Sequence, residues 1–245
     1  MKQRIFTTLG VEKIAKNTYD IRLSGDTEGM EHPGRFVNIA IKGLYLRRPI
    51  SVCDVEKDCL RLIFKAVGKG TEVLANAAKG DSFDILTDLG NGYDISKAGD
   101  APLLIGGGAG LPPMYLLAKT LIARGKKVSV VAGFNSADEI FLVDELKALG
   151  AEVYVCTADG SVGIKGFVTN AMAELSGKYS HVFTCGPEPM LKAVWNACET
   201  DGQFSFEERM GCGFGACMGC TCKTITGYKR ICREGPVLGK DEIKW

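Results

Sequence analysis

Several features are missing from these 245 residues, and each absence removes a class of function. There is no charge excess: 30 Lys and Arg balance 29 Asp and Glu, for a formal net charge of +1. A chain so balanced has no field to gather nucleic acid or an anionic membrane surface. There is no unbroken apolar run either. The most apolar stretch, residues 101–118, is interrupted by Gly106, Gly107, Gly108, Gly110, Pro112 and Pro113, so it is not a membrane span. Met1 to Gly10 lacks an apolar core followed by a cleavage site, so no export leader is expected and the cytoplasm is the expected compartment. Histidine is scarce, and the two present, His32 and His181, are read as structural. No internal repeat or low-complexity tract appears.

Cysteine, by contrast, is abundant. Ten cysteines without a leader point to a reducing compartment, where clustered thiols serve as metal ligands more often than as disulfides. Three stand in the rhythm Cys212-x4-Cys217-x2-Cys220. That spacing matches the plant-type run that holds a [2Fe–2S] cluster. Zinc ribbons favour two separated Cys pairs, which this triplet is not. Gly211, Gly213, Gly215 and Gly219 punctuate the run, letting the backbone turn and bring amide N–H groups to the sulfurs. Cys222 and Cys232 compete for the fourth position. Cys222 lies only two residues beyond Cys220. Cys232 sits where the chain returns from a turn at Gly227 and can close the cluster from the other side, so it is the expected ligand. Cys222 is then read as a buried thiol. Cys53, Cys59, Cys156 and Cys198 are read as small buried hydrophobes.

The chain divides into three parts. Over residues 1–98, β-rich runs (Arg4–Leu9, Thr18–Leu23, Phe36–Ile41, Ile50–Val55, Leu60–Ala66 and Asp81–Thr87) predict an antiparallel barrel or sandwich. A short helix over Thr71–Ala78 is expected to be capped by Thr71. Over residues 99–202, strands (Pro102–Ile105, Lys127–Ala132, Glu152–Thr157, His181–Cys185) alternate with helices (Met114–Arg124, Asp138–Leu149, Phe167–Leu175, Pro189–Glu199). That alternation predicts βα units on a parallel sheet. Residues 203–245 are Gly- and Cys-rich, with too little apolar content for a core of their own, so a cluster would be needed to order them.

Gly106-Gly-Gly-Ala-Gly110 follows a strand and opens a helix, which makes room for a pyrophosphate. Leu111 stands where the third glycine of G-x-G-x-x-G belongs, so this is not the Rossmann fingerprint. Cys185-Gly186-Pro187 ends the last strand of the same unit. Both loops lie at C-terminal strand ends, where open α/β sheets bind ligands. Gly133 to Glu139 carries no Arg or Lys for a 2′-phosphate, and its acidic Asp138 and Glu139 favour NAD over NADP.

These motifs together resemble the ferredoxin–NADP reductase superfamily. Gly106, Gly108, Gly110 and Pro113 fit its G-x-G-x-G-x-x-P motif, and Cys185-Gly186-Pro187 fits its C-G-P motif. Arg48-Pro49-Ile50-Ser51 fits its flavin motif R-x-Y-S/T, with Ile50 replacing the tyrosine. A closer resemblance, over essentially the whole chain, is to the electron-transfer subunits of NAD-linked, type B dihydroorotate dehydrogenases. It rests on Arg47-Arg-Pro-Ile-Ser-Val52, Gly68-Lys-Gly-Thr71 and Glu208-Arg-Met-Gly-Cys212 with the cysteine run. The resemblance implies a flavin-binding β-barrel, an α/β nucleotide domain and a small [2Fe–2S] segment. It implies FAD held by Arg48, Pro49, Ile50, Ser51, Ile63, Phe64, Lys65, Gly70 and Thr71. Arg48 would offer a forked donor to the pyrophosphate and Thr71 a hydroxyl near a helix start. NAD would lie on Gly106, Gly108, Gly110, Pro113, Cys185, Gly186 and Pro187, with Cys185 orienting the nicotinamide. It further implies a catalytic partner subunit with FMN that oxidises dihydroorotate to orotate, in a heterotetramer of two subunits of each kind. Electrons would then pass through the cluster to FAD and NAD+. The nearest alternative is an NAD(P)H-linked reductase subunit of a hydrogenase or ferredoxin-type complex. Phe214 and Met218 are expected either to meet the partner or to pack inward.

Overall fold

A computed structural model describes residues 1–245. The first unit contains β1 (Lys2–Ala15), β2 (Thr18–Ser24), β3 (Phe36–Ile39), β4 (Arg48–Glu56), β5 (Cys59–Lys65), α1 (Lys69–Ala75) and β6 (Ser82–Leu89). The six strands close an antiparallel barrel in the order β1-β2-β5-β4-β3-β6. β1 is far longer than the stretch legible in sequence. Its first half pairs with β6 and its second half with β2; a register shift at Thr8/Gly10 falls where the pairing passes from one to the other, and a second at Lys13/Ala15 falls at the end of the β2 ladder. One strand with two partners is what closes the barrel and removes its edges. Phe6, Ile21, Leu23, Val37, Ile39, Leu62 and Phe64 fill it.

The second unit begins with β7 (Leu103–Gly107), α2 (Pro112–Ala123), β8 (Ser129–Phe134), α3 (Val143–Ala148), β9 (Glu152–Thr157) and β10 (Ile164–Lys165). It continues with α4 (Val168–Glu174), β11 (Val182–Cys185), α5 (Glu188–Ala197) and β12 (Gly202–Ser205). The remaining chain forms a hairpin, β13 (Thr221–Thr224) and β14 (Gly227–Arg230), then β15 (Val237–Gly239). The sheet order is β10-β9-β8-β7-β11-β12-β15, parallel except for β15, which runs antiparallel to β12. The cysteine-rich segment is therefore tied to this sheet at both ends. Its Cys220, Ile231, Cys232 and Leu238 share one core with Phe36, Leu86 and Leu89 of the barrel and with Leu103, Val182 and Phe204 of the sheet. The thin apolar content of residues 203–245 is completed by its neighbours.

Two helix expectations need correction. Asp138–Leu149 is not one helix. A 3₁₀ turn covers Ala137–Glu139, Leu142 has φ 62°, and α3 starts only at Val143. Phe141 and Leu142 are buried, and Phe141 meets Phe134 at 5.5 Å, so core packing overrides helical continuity. Nor does Thr71 cap α1. Gly68 occupies that position, and Thr71 is the third helical residue, its hydroxyl accepting from the Val67 and Gly68 amides.

Candidate functional site

The barrel and the α/β unit are clasped by ion pairs. Arg61 of β5 bridges buried Asp20 at 2.7 Å and Glu145 of α3 at 2.5 Å. Lys119 of α2 meets buried Asp54 at 2.9 Å, Lys65 meets Glu139 at 2.9 Å, and Lys16 meets Asp138 at 3.0 Å. Asp138 and Glu139 thus answer barrel lysines in this structure. The sequence showed only that no cation lies beside them along the chain. The fold brings two from elsewhere. Lys65 holds the Glu139 carboxyl below its usual range, with burial opposing.

A cleft of about 580 Å³ opens at the C-terminal ends of β7, β8 and β11, large enough for a dinucleotide portion. Gly107, Gly108, Gly110, Gly186, Pro187 and Met190 line it, and Lys65 enters it from the barrel. The glycine loop and the Cys-Gly-Pro turn are in direct contact. A Cβ on Gly110 would stand 2.1 Å from the Cys185 carbonyl oxygen, and one on Gly107 would stand 2.4 Å from Met190 Sδ. Gly108 sits at φ 51°. Gly106 ends up inside the structure against Leu111, and Pro113 is buried in the first turn of α2. Each loop leaves its backbone bare toward the cleft, which fits a close-lying pyrophosphate.

Cys185 is buried at the end of β11 and does not line the cleft, which Gly186 and Pro187 do; burial pushes its thiol up to about 12, with the Glu207 charge adding. Ser205 lies within hydrogen-bonding reach of both Cys185 and Tyr93, and Tyr93 donates to the Thr184 carbonyl at 3.0 Å. Glu207, just past β12, lines the cleft and stays open to solvent. The desolvating walls push its carboxyl upward. Nothing in its sequence context marked it, because its placement follows from β12 joining the sheet.

The expected flavin residues fall on different faces. Arg48, Pro49, Ile50 and Ser51 are half-buried on β4. Arg48 lies against Gly70, where a Cβ would stand 2.2 Å from its Nε. Its Nη1 donates to the Leu46 and Arg47 carbonyls, and its Nη2 donates to no protein atom, which fits an anionic ligand. Along β5 the side chains alternate. Phe64 points into the barrel core and stacks on Tyr19 at 6.2 Å. Ile63 packs toward the α/β unit, and Lys65 reaches the dinucleotide cleft.

The cysteine segment folds against the barrel. Asn38 Nδ2 of β3 donates to the Cys212 carbonyl at 3.2 Å, and a Cβ on Gly213 would collide with that amide at 2.3 Å. The sulfurs fall into two pairs. The Cys212 amide points at Cys217 Sγ at 3.4 Å, while the Ala216 and Cys217 amides point at Cys212 Sγ at 3.2 and 3.4 Å. The Cys232 amide donates to Cys220 Sγ at 3.4 Å. Two pairs of sulfurs suit the two irons of a [2Fe–2S] cluster. Burial works to raise the Cys212 thiol, but N–H donors from Cys217, Phe214 and Ala216 outweigh it and bring it down to about 6. Burial, with Cys220 beside it, pushes Cys232 up to about 12. A Cβ on Gly211 would stand 3.1 Å from Cys217 Sγ, so the loop wraps the sulfur tightly. Arg230 holds the loop from outside, donating to the Gly215 carbonyl at 2.7 Å and pairing with Glu234. Cys222 turns away, toward a second pocket lined by Phe206 and Trp245, and is half-buried rather than fully buried. Cys59 is likewise half-buried; Cys53, Cys156 and Cys198 are buried as expected. Phe214 and Met218 are 40% and 55% exposed and do not pack inward.

A closed flavin-type barrel, a nucleotide-binding parallel sheet and a four-cysteine segment define an oxidoreductase of the ferredoxin–NADP reductase type extended by an iron–sulfur module. Residues 104–196 match the oxidoreductase NAD-binding domain, and residues 207–244 match the iron–sulfur cluster binding domain of dihydroorotate dehydrogenase B. The chain is 45% identical, over 95% of both chains, to the dihydroorotate dehydrogenase B (NAD(+)) electron transfer subunit of Fusobacterium nucleatum. It is 40% identical, over 99% of both chains, to that of Lysinibacillus sphaericus. It belongs to the family of dihydroorotate dehydrogenase B electron transfer subunits. Among solved structures, an NADH-dependent reduced ferredoxin–NADP oxidoreductase studied for flavin-based electron bifurcation superposes with a TM-score of 0.89. It is 29% identical, covering 98% of this chain and 90% of that one. The Amycolatopsis cytochrome P450 reductase GcoB shares the fold, with a TM-score of 0.71 and 24% identity over 80% of this chain and 65% of that one. No helix is long and apolar enough to cross a membrane.

Proposed function

We propose that this chain carries electrons from a catalytic partner subunit, which oxidises dihydroorotate to orotate on FMN in the cytoplasm, to NAD+. A [2Fe–2S] cluster bound by Cys212, Cys217, Cys220 and Cys232 and an FAD bound at Arg48–Ser51 supply one- and two-electron carriage when present. The chain's own residues do the positioning. The amides on Cys212 and Cys217 stabilise negative charge at the sulfurs. Asn38 fixes the Cys212 loop on the barrel. The free Nη2 of Arg48 meets a pyrophosphate, with the Ser51 hydroxyl on the same strand. Gly106, Gly108, Gly110 and Pro113 shape the backbone that takes the pyrophosphate of NAD, and Gly186 and Pro187, backed by Cys185, form the wall for its nicotinamide. The alternation along β5 supports backbone, rather than side-chain, contacts to FAD at Ile63 and Phe64. Thr71 contributes by holding the Gly68 turn.

The observation that carries this reading is spatial. The cleft of the α/β unit is reached by a barrel residue, Lys65, while the cysteine loop touches the barrel through Asn38. Barrel residues thus face both the cleft and the cysteine loop, which supports a flavin on the barrel as the link between the two. The partner would dock on the cluster side, where Phe214 and Met218 are exposed, and a two-plus-two heterotetramer is the proposed assembly.

The test is reconstitution. The brown-orange holo-chain with its FMN-bearing partner should oxidise NADH in the presence of orotate, and native mass should give the stoichiometry. Oxidation of dihydroorotate by the purified chain alone would overturn the proposal.

A further inference from the structure

Asn38 holds the Cys212 side of the cysteine segment on the barrel, and the Cys220–Cys232 side has a clamp of its own. It is Asn91, in the loop that leaves β6 for the α/β unit. Its backbone amide donates to the Gly235 carbonyl at 2.7 Å. Its Nδ2 donates to the Glu234 and Val237 carbonyls at 3.0 and 2.7 Å, and its Oδ1 accepts from the Val237 amide at 3.1 Å. Both polar atoms of the side chain are thus spent on main chain just past Cys232. The loop is shaped for this contact. Gly90 and Gly92 both stand at φ 75°, and a Cβ on Gly90 would meet Pro236 Cδ at 2.6 Å. Glycine lets the chain turn through that region while lying so close to its neighbour.

The surroundings of Asn91 separate placement from folding. The segment it grips is already secured from the other direction. Phe206, just past β12, donates its amide to the Pro236 carbonyl at 2.9 Å, and Val237 pairs with Ser205 in the sheet. Asn91 itself is exposed, so its bonds compete with water and add little net stability. What they add is a fixed distance. The turn leading back to the cluster is stiff: the Arg230 carbonyl accepts from the Arg233 and Glu234 amides, both at 2.9 Å. Cys232 is buried within that turn, with its amide on Cys220 Sγ. A displacement of Glu234–Val237 therefore carries Cys232 with it. β12 sets this body against the nucleotide unit, and Asn91 sets it against the barrel. Asn38 on β3 and Asn91 beyond β6 come from neighbouring strands and serve one sulfur pair each.

We propose that Asn91 is a positioning residue for electron transfer: it fixes the Cys220–Cys232 side of the cluster against the flavin barrel, so that the gap an electron crosses stays constant. The inference rests on the assignment of a flavin to the barrel and a [2Fe–2S] cluster to the four cysteines, and the experiment separates the two. The full chain carrying both groups is mixed with NADH in a stopped-flow spectrometer. A hydride, two electrons and a proton, passes from NADH to the flavin. One of those electrons then moves to the cluster and the other stays, so flavin and cluster bleaching are read as separate phases. Asn91→Ala removes the side-chain clamp. Asn91→Asp keeps its shape and its acceptor for the Val237 amide but loses both donations. Each variant should keep the wild-type iron and sulfide content and flavin phase, and slow the cluster phase by about tenfold. The cluster potential, titrated by electron paramagnetic resonance, should not move, because no ligand and no amide on a sulfur is touched. If Asn91→Ala loses iron, Asn91→Asp carries the comparison. Equal slowing of both phases, an unslowed cluster phase, a shifted cluster potential, or loss of iron from both variants would overturn the proposal. A wild-type chain showing neither flavin nor cluster bleaching would instead remove the electron-path reading on which it rests.

Discussion

Gly110→Ala is the smallest change that should separate the two halves of the dinucleotide cleft. The new methyl would stand 2.1 Å from the Cys185 carbonyl oxygen, 2.4 Å from its carbon and 2.7 Å from the Gly186 nitrogen. Real Cβ contacts do not come under 3.0 Å, so the backbones must part by at least about 0.9 Å, the difference between 3.0 and 2.1 Å. All three obstacles are main-chain atoms, so no side chain can swing aside. Gly110 also has no positive φ, so the cost is purely steric. Overpacking of this kind costs about 1–3 kcal/mol. For a chain of this size that is roughly 2–4 °C in melting temperature per kcal/mol. The loss in NADH affinity should be larger in proportion, because a shift of about 1 Å displaces the amides that face the pyrophosphate. Gly10→Ala is the control, since a Cβ there meets nothing within 4 Å. Differential scanning calorimetry and NADH titration on both variants make the comparison. A Gly110→Ala protein that melts and binds NADH like wild type would show that the two loops do not touch in this way.

Other outcomes follow from the same geometry. Cys232→Ser should abolish the [2Fe–2S] absorbance and electron paramagnetic resonance signals, and Cys222→Ser should keep them; the reverse would reassign the fourth ligand. Arg61→Ala should destabilise the fold by about 3–5 kcal/mol, because it strands the Asp20 carboxylate, whose side chain is only 7% exposed. Asp20→Asn in the same background should recover part of that loss in denaturant titrations. The Lys65–Glu139 clasp should be acid-sensitive. The Glu139 pKa is lowered from 4.5, so its stabilisation is complete above about pH 4.5 and disappears as the pH falls through the lowered value. Glu139→Gln should therefore be less stable than wild type near neutrality and converge with it in strong acid, and a constant gap at all pH values would refute the linkage.

The chemistry of this chain was legible wherever it depends on residues close together in sequence. The spacing of Cys212, Cys217 and Cys220, the glycine loop at Gly106–Gly110 and the Cys185-Gly186-Pro187 turn each carry their meaning within about ten residues. The alternation of strands and helices after residue 99 predicted the parallel sheet for the same reason. Element ends were less legible. Asp138–Leu149 has helical periodicity, but burial of Phe141 and Leu142 breaks it.

Long-range placement could not be read in advance. Asp138 and Glu139 lack cationic neighbours along the chain, yet the barrel brings Lys16 and Lys65 to them. Lys65 belongs to a flavin-domain strand, yet its ammonium enters the nucleotide cleft because side chains alternate along β5. Sequence alone determined which groups this protein can bind, since ligand spacing and glycine backbones are local and covalent. Tertiary structure decided where those groups face one another. Barrel closure and β15 joining the sheet both follow from the burial of apolar surface between segments far apart in the chain.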